Sequence, residues 1–394
     1  MAKGSIKKVE GKRSTSWRVI IDLPKGPEGK RRQKSLTYPG MMKKREVEKK
    51  LREMLQEIDG GTWIEPQKTT LAEFLESWLQ EHEDTVSVAT ARKYRNVIDC
   101  HIVPAIGDIP LQKLGPLDVQ RLIEQLKTRG NKKEKGGELS PTTIKYVIRF
   151  LRFALKRAVE TGLIKKNPTE GAKIPRQERK EIDILSENEI GRLFDLLKGS
   201  YIYGPAKVAF HTGARLTEVL GLTWDCVDLE GAKIRIEKAY RYFNDDGEPL
   251  FTTPKTKAAR RTIGIDPELV AFLKEHRIEQ EKARRWSTGG AWASSHDLVF
   301  TMGDGSPIIP GALSSLFSQK MKKAGIATTF HGLRHSHVSI LIKAGVPITT
   351  ISGRVGHANP SITHSVYAHL LEGMDDQAVN AFAALMSQAK SKRA

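Results

Sequence analysis

Apolar positions along the 394-residue chain change period twice, and the changes divide it. Over residues 5–9, 17–23 and 31–36 they alternate in short runs separated by Gly, Pro and Ser, which predicts three strands. Val47, Leu51, Met54 and Ile58 then recur at helical spacing, with Gly60-Gly61 as the stop. Thr70-Leu71-Ala72-Glu73 has the form of a capping box, and Leu71, Phe74, Leu75, Trp78 and Leu79 supply the stripe of the helix it opens. A second helix is expected over 88–101, followed by a loop punctuated by Pro104, Gly107, Pro110 and Pro116 and then another helix. Ser140-Pro141 places a cap and a first-turn proline before a long helix ending at Gly162. The Lys-rich, Gly-flanked run 130–137 reads as a flexible insertion, and 167–181, polar with two prolines, as a linker. Ser186-Glu187-Asn188-Glu189 opens a mainly helical last part, with a small sheet expected over 233–240, 250–253 and 261–265. The stretch 286–296 reads as a surface loop, and Val379, Phe382 and Met386 mark a short amphipathic helix near the end.

A chain of this length exceeds one ordinary core. The expected division is a small module at 1–68, a helical domain at 69–168, a linker at 169–182 and a larger domain at 183–394. The formal charge of +19 points to an extended polyanion as partner, and no apolar run approaches the ~20 residues that span a bilayer. Residues 1–68 hold 18 Lys and Arg against 9 Asp and Glu, so nearly half of the excess sits on a sixth of the length. No apolar secretory segment opens the chain, which makes the cytoplasm the expected compartment. Two cysteines, Cys100 and Cys226, form no metal-ligand pattern, and no metal or other cofactor is expected.

Candidate chemistry concentrates in 331–367. His331 and Arg334 are three apart and share a helix face; His357 stands in Gly-His-Ala-Asn-Pro, where Asn359 and Pro360 interrupt a helix; Tyr367 follows. A hydroxyl near a guanidinium and two imidazoles is equipment for attack on phosphorus. Taken singly, each residue has a structural reading: a paired surface face for H-x-x-R, a packed aromatic for Tyr367. Upstream, Arg215 opens a helix whose apolar positions are Leu216, Val219, Leu220 and Leu222, with Glu218 placed to hold it, and Lys255 and Lys257 lie in a basic turn leading into a strand.

Ala214 to Leu222, the Lys-bearing turn, His331-Gly332-Leu333-Arg334-His335, Gly356-His357 and Tyr367-Ala368-His369 together resemble, in order, the tyrosine recombinases of phages and mobile elements. The resemblance covers 180–372, with consistent support over 70–168. It implies a multidomain fold: a three-stranded sheet with a helix, an all-α core-binding domain, and a mainly α catalytic domain with a small sheet. It implies a catalytic set of Arg215, Lys255, His331, Arg334, His357 and Tyr367. In that set Tyr367 is the nucleophile of a 3′-phosphotyrosyl intermediate, and Lys255 is the acid for the 5′-oxygen, with Lys257 its rival. His331 acts in proton transfer at the tyrosine, and His357 donates to a nonbridging oxygen. Double-stranded DNA with core and arm-type sites, a homotetramer on synapsed DNA, and an excisionase or DNA-bending host factor are the implied partners, with no membrane. Candidate DNA contacts are Arg18, Arg32 and Lys34 on the N-terminal strands, Lys93, Arg95, Lys145 and Arg149 on the helices, and Lys257 in the basic turn. Two rival readings stay open: a type IB topoisomerase-like relaxing enzyme, and a non-catalytic DNA-binding regulator.

Overall fold

The computed structural model describes residues 3–10, 15–23, 32–61, 63–129, 137–175, 185–243, 249–252, 260–286, 292, 296–357, 359–371, 379, 382 and 383. Residues 1–179 and 180–394 form two compact units.

The first unit begins with an antiparallel sheet in the order β1 (Gly4–Glu10), β2 (Thr15–Leu23), β3 (Arg32–Pro39), covered by helix α1 (Lys44–Asp59). The alternation works as expected on β2: Val19 and Ile21 are fully buried against Val47, Leu51 and Ile58 of α1. The pairing register separates the three proposed contacts. Arg18 lies opposite Lys7 and Thr37 on the outer face, whereas Lys34 opposes buried Ile21 and Arg32 opposes Leu23. A period of two cannot put Arg18 and Lys34 on one surface in this register, because directly paired residues share a face. Lys34 instead binds Glu65, with Arg32 3.8 Å from the same carboxylate.

A second core follows, built by α2 (Leu71–His82), α3 (Val88–Val97), α4 (Val103–Ile106), α5 (Pro116–Arg129) and α6 (Pro141–Glu160). Thr70 and Glu73 cap α2 reciprocally, the Glu73 amide donating to Thr70 Oγ1 at 3.2 Å and the Thr70 amide to Glu73 Oε2 at 2.8 Å. Along α6, Ile144, Val147, Ile148, Leu151, Ala154, Leu155 and Ala158 are buried at i, i+3, i+4 spacing. One departure concerns Pro104. The start of the expected loop is helical, because a π-turn over Ile98–Ile102 joins α3 to α4. Widening the turn before a residue that has no N–H and would crowd the carbonyl four residues back lets the helix continue past it. A second departure is at the expected linker. Asn167 and Thr169 are buried, with Asn167 Nδ2 donating to Arg152 O and Arg152 Nη2 donating to Thr169 O, so this stretch is built onto α6. Residues 130–136 of the expected insertion, and residues 176–184, which take in the remainder of the linker, lie outside the described residues.

The second unit runs through α7 (Glu187–Leu197), α8 (Tyr203–Thr212), α9 (Leu216–Leu220), β4 (Val227–Asp228), β5 (Lys233–Ile236), β6 (Ala239–Phe243), β7 (Pro249–Thr252), β8 (Arg261–Gly264) and α10 (Pro267–Trp286). It closes with α11 (Pro310–Lys323), α12 (Phe330–Lys343), α13 (Ile348–Val355) and α14 (Pro360–Leu371). The sheet expected here is two: β4-β5-β8 and a separate β6-β7 pair. The segment joining them, with Lys255 and Lys257, lies outside the described residues, as do most of the expected 286–296 loop and most of the C-terminal helix around Val379 and Met386. Among the described residues no helix is long and apolar enough to cross a membrane.

Candidate active site

Three local devices bring the site together. Gly213 ends α8 in the left-handed region at φ 67°, where a Cβ would come within 2.8 Å of the His337 ring and 2.9 Å of Val355, so glycine is required twice over. Arg215 is the N-cap of α9, and its amide donates to Glu218 Oε2 at 3.0 Å. Thr329 caps α12, fixing the start of the helix that carries His331, Arg334 and His335 at i, i+3 and i+4.

Glu218 is the hub. Its carboxylate is 4 % exposed and accepts from Arg215 Nη1 and from Arg261 Nη2, both at 2.8 Å. Although burial works against the charged form, the two guanidiniums hold its pKa below the usual carboxylate value. Arg261 also donates through Nε to the Arg354 carbonyl at 2.7 Å. Arg354 in turn donates to His337 Nε2 at 3.1 Å and to the His211 carbonyl at 3.1 Å, tying α13 to α12 and α8. Burial, reinforced by Arg354, pushes His337 down to about 3, which keeps its ring neutral and able to accept.

Arg334 is 3 % exposed. Its Nη1 donates to the Gly213 carbonyl at 2.7 Å, while Nη2 is buried and reaches no acceptor among the described residues. Burial and repulsion from Arg215 push it down to about 9, still protonated at neutral pH. A buried guanidinium with an unsatisfied N–H is a costly arrangement that an anion would relieve.

His331 is held below its ordinary pKa by burial and by the Arg334 and Arg215 charges. His357 follows Gly356, which ends α13 at φ 72°; burial and Arg334 push it down to about 4, and its Nδ1 lies 2.8 Å from Thr363 Oγ1. Tyr367 is 2 % exposed and interrupts α14 with φ −115°, ψ 17°. Its hydroxyl sits 2.6 Å from His335 Nδ1, and burial raises it to about 12 against the pull of Arg334.

Of the six residues expected in the catalytic set, Arg215, His331, Arg334, His357 and Tyr367 therefore fall within one electrostatic neighbourhood. Lys255 and its rival Lys257 are outside the described residues. Arg261, His335, His337 and Arg354 complete the cluster without having been singled out. Arg261 carries no local signal, since its partner Glu218 is 43 positions away. His335 does carry one, four residues after His331 on the same helix face. Among the described residues no group of three or more His, Cys, Asp or Glu side chains stands in metal-binding proximity.

The helical candidates differ in their state. Arg95 binds Glu76, whereas Lys93 is exposed and lines a groove with Arg92, Thr143 and Tyr146 between α3 and α6. Lys145 and Arg149 are exposed four residues apart on α6.

The Phage integrase family pattern matches residues 183–374, and the pattern of its N-terminal SAM-like domain matches 70–127. A tyrosine recombinase XerC-like protein of Caldanaerobacter subterraneus subsp. tengcongensis is 29 % identical over 92 % of this chain and 94 % of its own. Among solved structures, the Tn1549 transposon integrase bound to circular-intermediate DNA matches with TM-score 0.66 at 20 % identity, over 80 % of this chain and 99 % of that one. A lambda integrase tetramer bound to a Holliday junction matches with TM-score 0.53 at 14 % identity, over 90 % and 96 %. Fold and ordered motifs thus define a tyrosine site-specific DNA recombinase. The chain belongs to the phage integrase family of these enzymes.

Proposed function

We propose that the chain integrates or excises a mobile element by cutting and rejoining duplex DNA through Tyr367. The observation that carries this reading is the buried Nη2 of Arg334, unsatisfied among the described residues and within electrostatic reach of Tyr367: a donor suited to an anion in the same site as a hydroxyl suited to attack. Arg334 and Arg215 hold the nonbridging oxygens of the scissile phosphate, with Glu218 and Arg261 fixing the Arg215 fork. His357 donates to a nonbridging oxygen once the phosphate anion favours its protonated form. His331 takes part in proton transfer on the tyrosine side, and Lys255, by family resemblance, protonates the leaving 5′-oxygen, with Lys257 as its rival. The ester formed conserves the bond energy, so strand exchange follows when a 5′-hydroxyl of another strand reverses the step.

In this reading 1–68 engages arm-type sites, 69–168 and 183–394 hold a core site, and four copies act on two duplexes. The similar Tn1549 integrase in complex with DNA and the lambda integrase tetramer on a Holliday junction support that assembly. An excisionase or bending protein would set direction.

The test is covalent trapping on nicked duplexes spanning the element junctions. A denaturant-resistant protein–DNA band that disappears with Tyr367→Phe is expected. No band at any junction would favour a non-catalytic binding protein. Relaxation of supercoils by a monomer without strand exchange would favour the topoisomerase alternative.

A further inference from the structure

The contact that these roles leave unused is the one made by the nucleophile itself. Tyr367 Oη lies 2.6 Å from His335 Nδ1, whereas His331 meets the His335 ring edge-on, with centroids 4.9 Å apart. Burial, with the His331 and Arg334 charges, pushes His335 down to about 4. Its ring is therefore neutral at pH 7, and a phenol beside it donates its O–H to the bare nitrogen. We infer that His335 is a catalytic residue of the strand-cleavage step, holding the Tyr367 hydroxyl through Nδ1 and taking its proton directly as Oη attacks phosphorus, with His331, edge-on to the His335 ring, taking part in that transfer only through His335. This rests on Tyr367 being the nucleophile.

In the step, the Oη–P bond forms and the P–O5′ bond breaks. The phenolic proton moves to Nδ1, leaving His335 an imidazolium, and the 5′-oxygen takes a separate proton from the acid on its own side. Rejoining runs the same path backwards, with the imidazolium returning its proton to Oη as the tyrosine departs.

A ring so weakly basic needs help, and the substrate brings it. Besides burial, neighbouring His331 and the Arg334 guanidinium lower its affinity for a proton, and a phosphodiester seated on Arg334 offsets the repulsion from that cation. Tyr367 reaches His335 from α14, while Arg354 of α13 bonds His337, and His211 of α8 acts on the His337 ring. Before DNA binds, the same bond keeps the hydroxyl protonated and in place.

Single-turnover cleavage of a nicked duplex tests this. His335→Ala and His335→Asn should both slow adduct formation by about 100-fold or more, the scale of a general base, although Asn keeps an acceptor near the Nδ1 position. Added imidazole should restore part of the His335→Ala rate. The defect should persist on a substrate whose leaving oxygen is replaced by sulfur, because a thiolate leaves without an acid. Wild-type rates in His335→Asn would overturn the inference, as would rescue by the sulfur substrate. An adduct formed by Tyr367→Phe would instead overturn the underlying reading. Should the His335 variants fail to fold, nitrogen NMR of the DNA-free full chain decides: Tyr367→Phe must shift the His335 Nδ1 resonance, and an unmoved resonance refutes the contact.

Discussion

The N-terminal sheet and the α12–α14 cluster are both rich in positive charge, and they keep it in opposite ways. On the sheet the charge stands in water or shares one exposed-edge partner, as Lys34 and Arg32 do with Glu65. In the cluster three guanidiniums, Arg215, Arg261 and Arg334, act on Glu218, and the most buried of them has an N–H with no acceptor among the described residues. Charge in water gives affinity that salt screens away; charge out of water is poised for one anion at one place. The count of basic residues locates the first region, and desolvation, which no count reveals, makes the second.

The comparison is most directly broken at Tyr367. Tyr367→Phe should abolish the covalent adduct while leaving DNA affinity within about twofold, since in the proposed reaction it removes the attacking atom and no charge; gel-shift titration beside the trapping assay checks both halves. Arg334→Met comes next. It should cut the cleavage rate by about 10²–10³-fold and raise the thermal midpoint, because an apolar side chain relieves an underpaired buried cation. A fall in midpoint would mean that the Gly213 bond outweighs the burial cost. Glu218→Gln should destabilise the chain by about 3 kcal/mol, read by urea unfolding, as two guanidiniums lose one shared carboxylate.

Acid should sharpen the contrast further. His337 has a folded-state pKa of about 3 against an ordinary value of 6.5, so the unfolded chain binds the extra proton between them. Its contribution is fully present above about pH 6.5 and is lost as pH falls toward 3, at up to about 1.4 kcal/mol per pH unit. His337→Gln should flatten that slope by one proton's worth in urea unfolding measured from pH 7 to 5. The smallest effect is expected on the sheet. Arg18→Ala should lower the salt slope of DNA binding by about one, whereas Lys34→Ala should leave the slope unchanged because its charge is matched by Glu65.

What was legible in the sequence was local. Capping boxes at Thr70 and Ser186, the α6 stripe and the motifs around Arg215, Arg334 and His357 each depend on residues within a few positions of one another. The placement of Glu218 against Arg215 was readable for the same reason. Its second partner, Arg261, was not, because only the strand crossing of β8 brings it near. Nor was the face of β3, since the register depends on a turn whose length the alternation does not encode. The π-turn before Pro104 escaped because a proline inside a helical pattern ordinarily predicts a stop.

Glu218 also constrains how such a protein can change over generations. A lineage that altered Glu218 or Arg261 alone would strand a charge in the interior, so these two positions should vary together or not at all. Arg261, which has no proposed part in the reaction itself, would then be inherited as strictly as the arginines proposed to hold the phosphate, and families of this protein should treat a silent supporter as if it were a reagent.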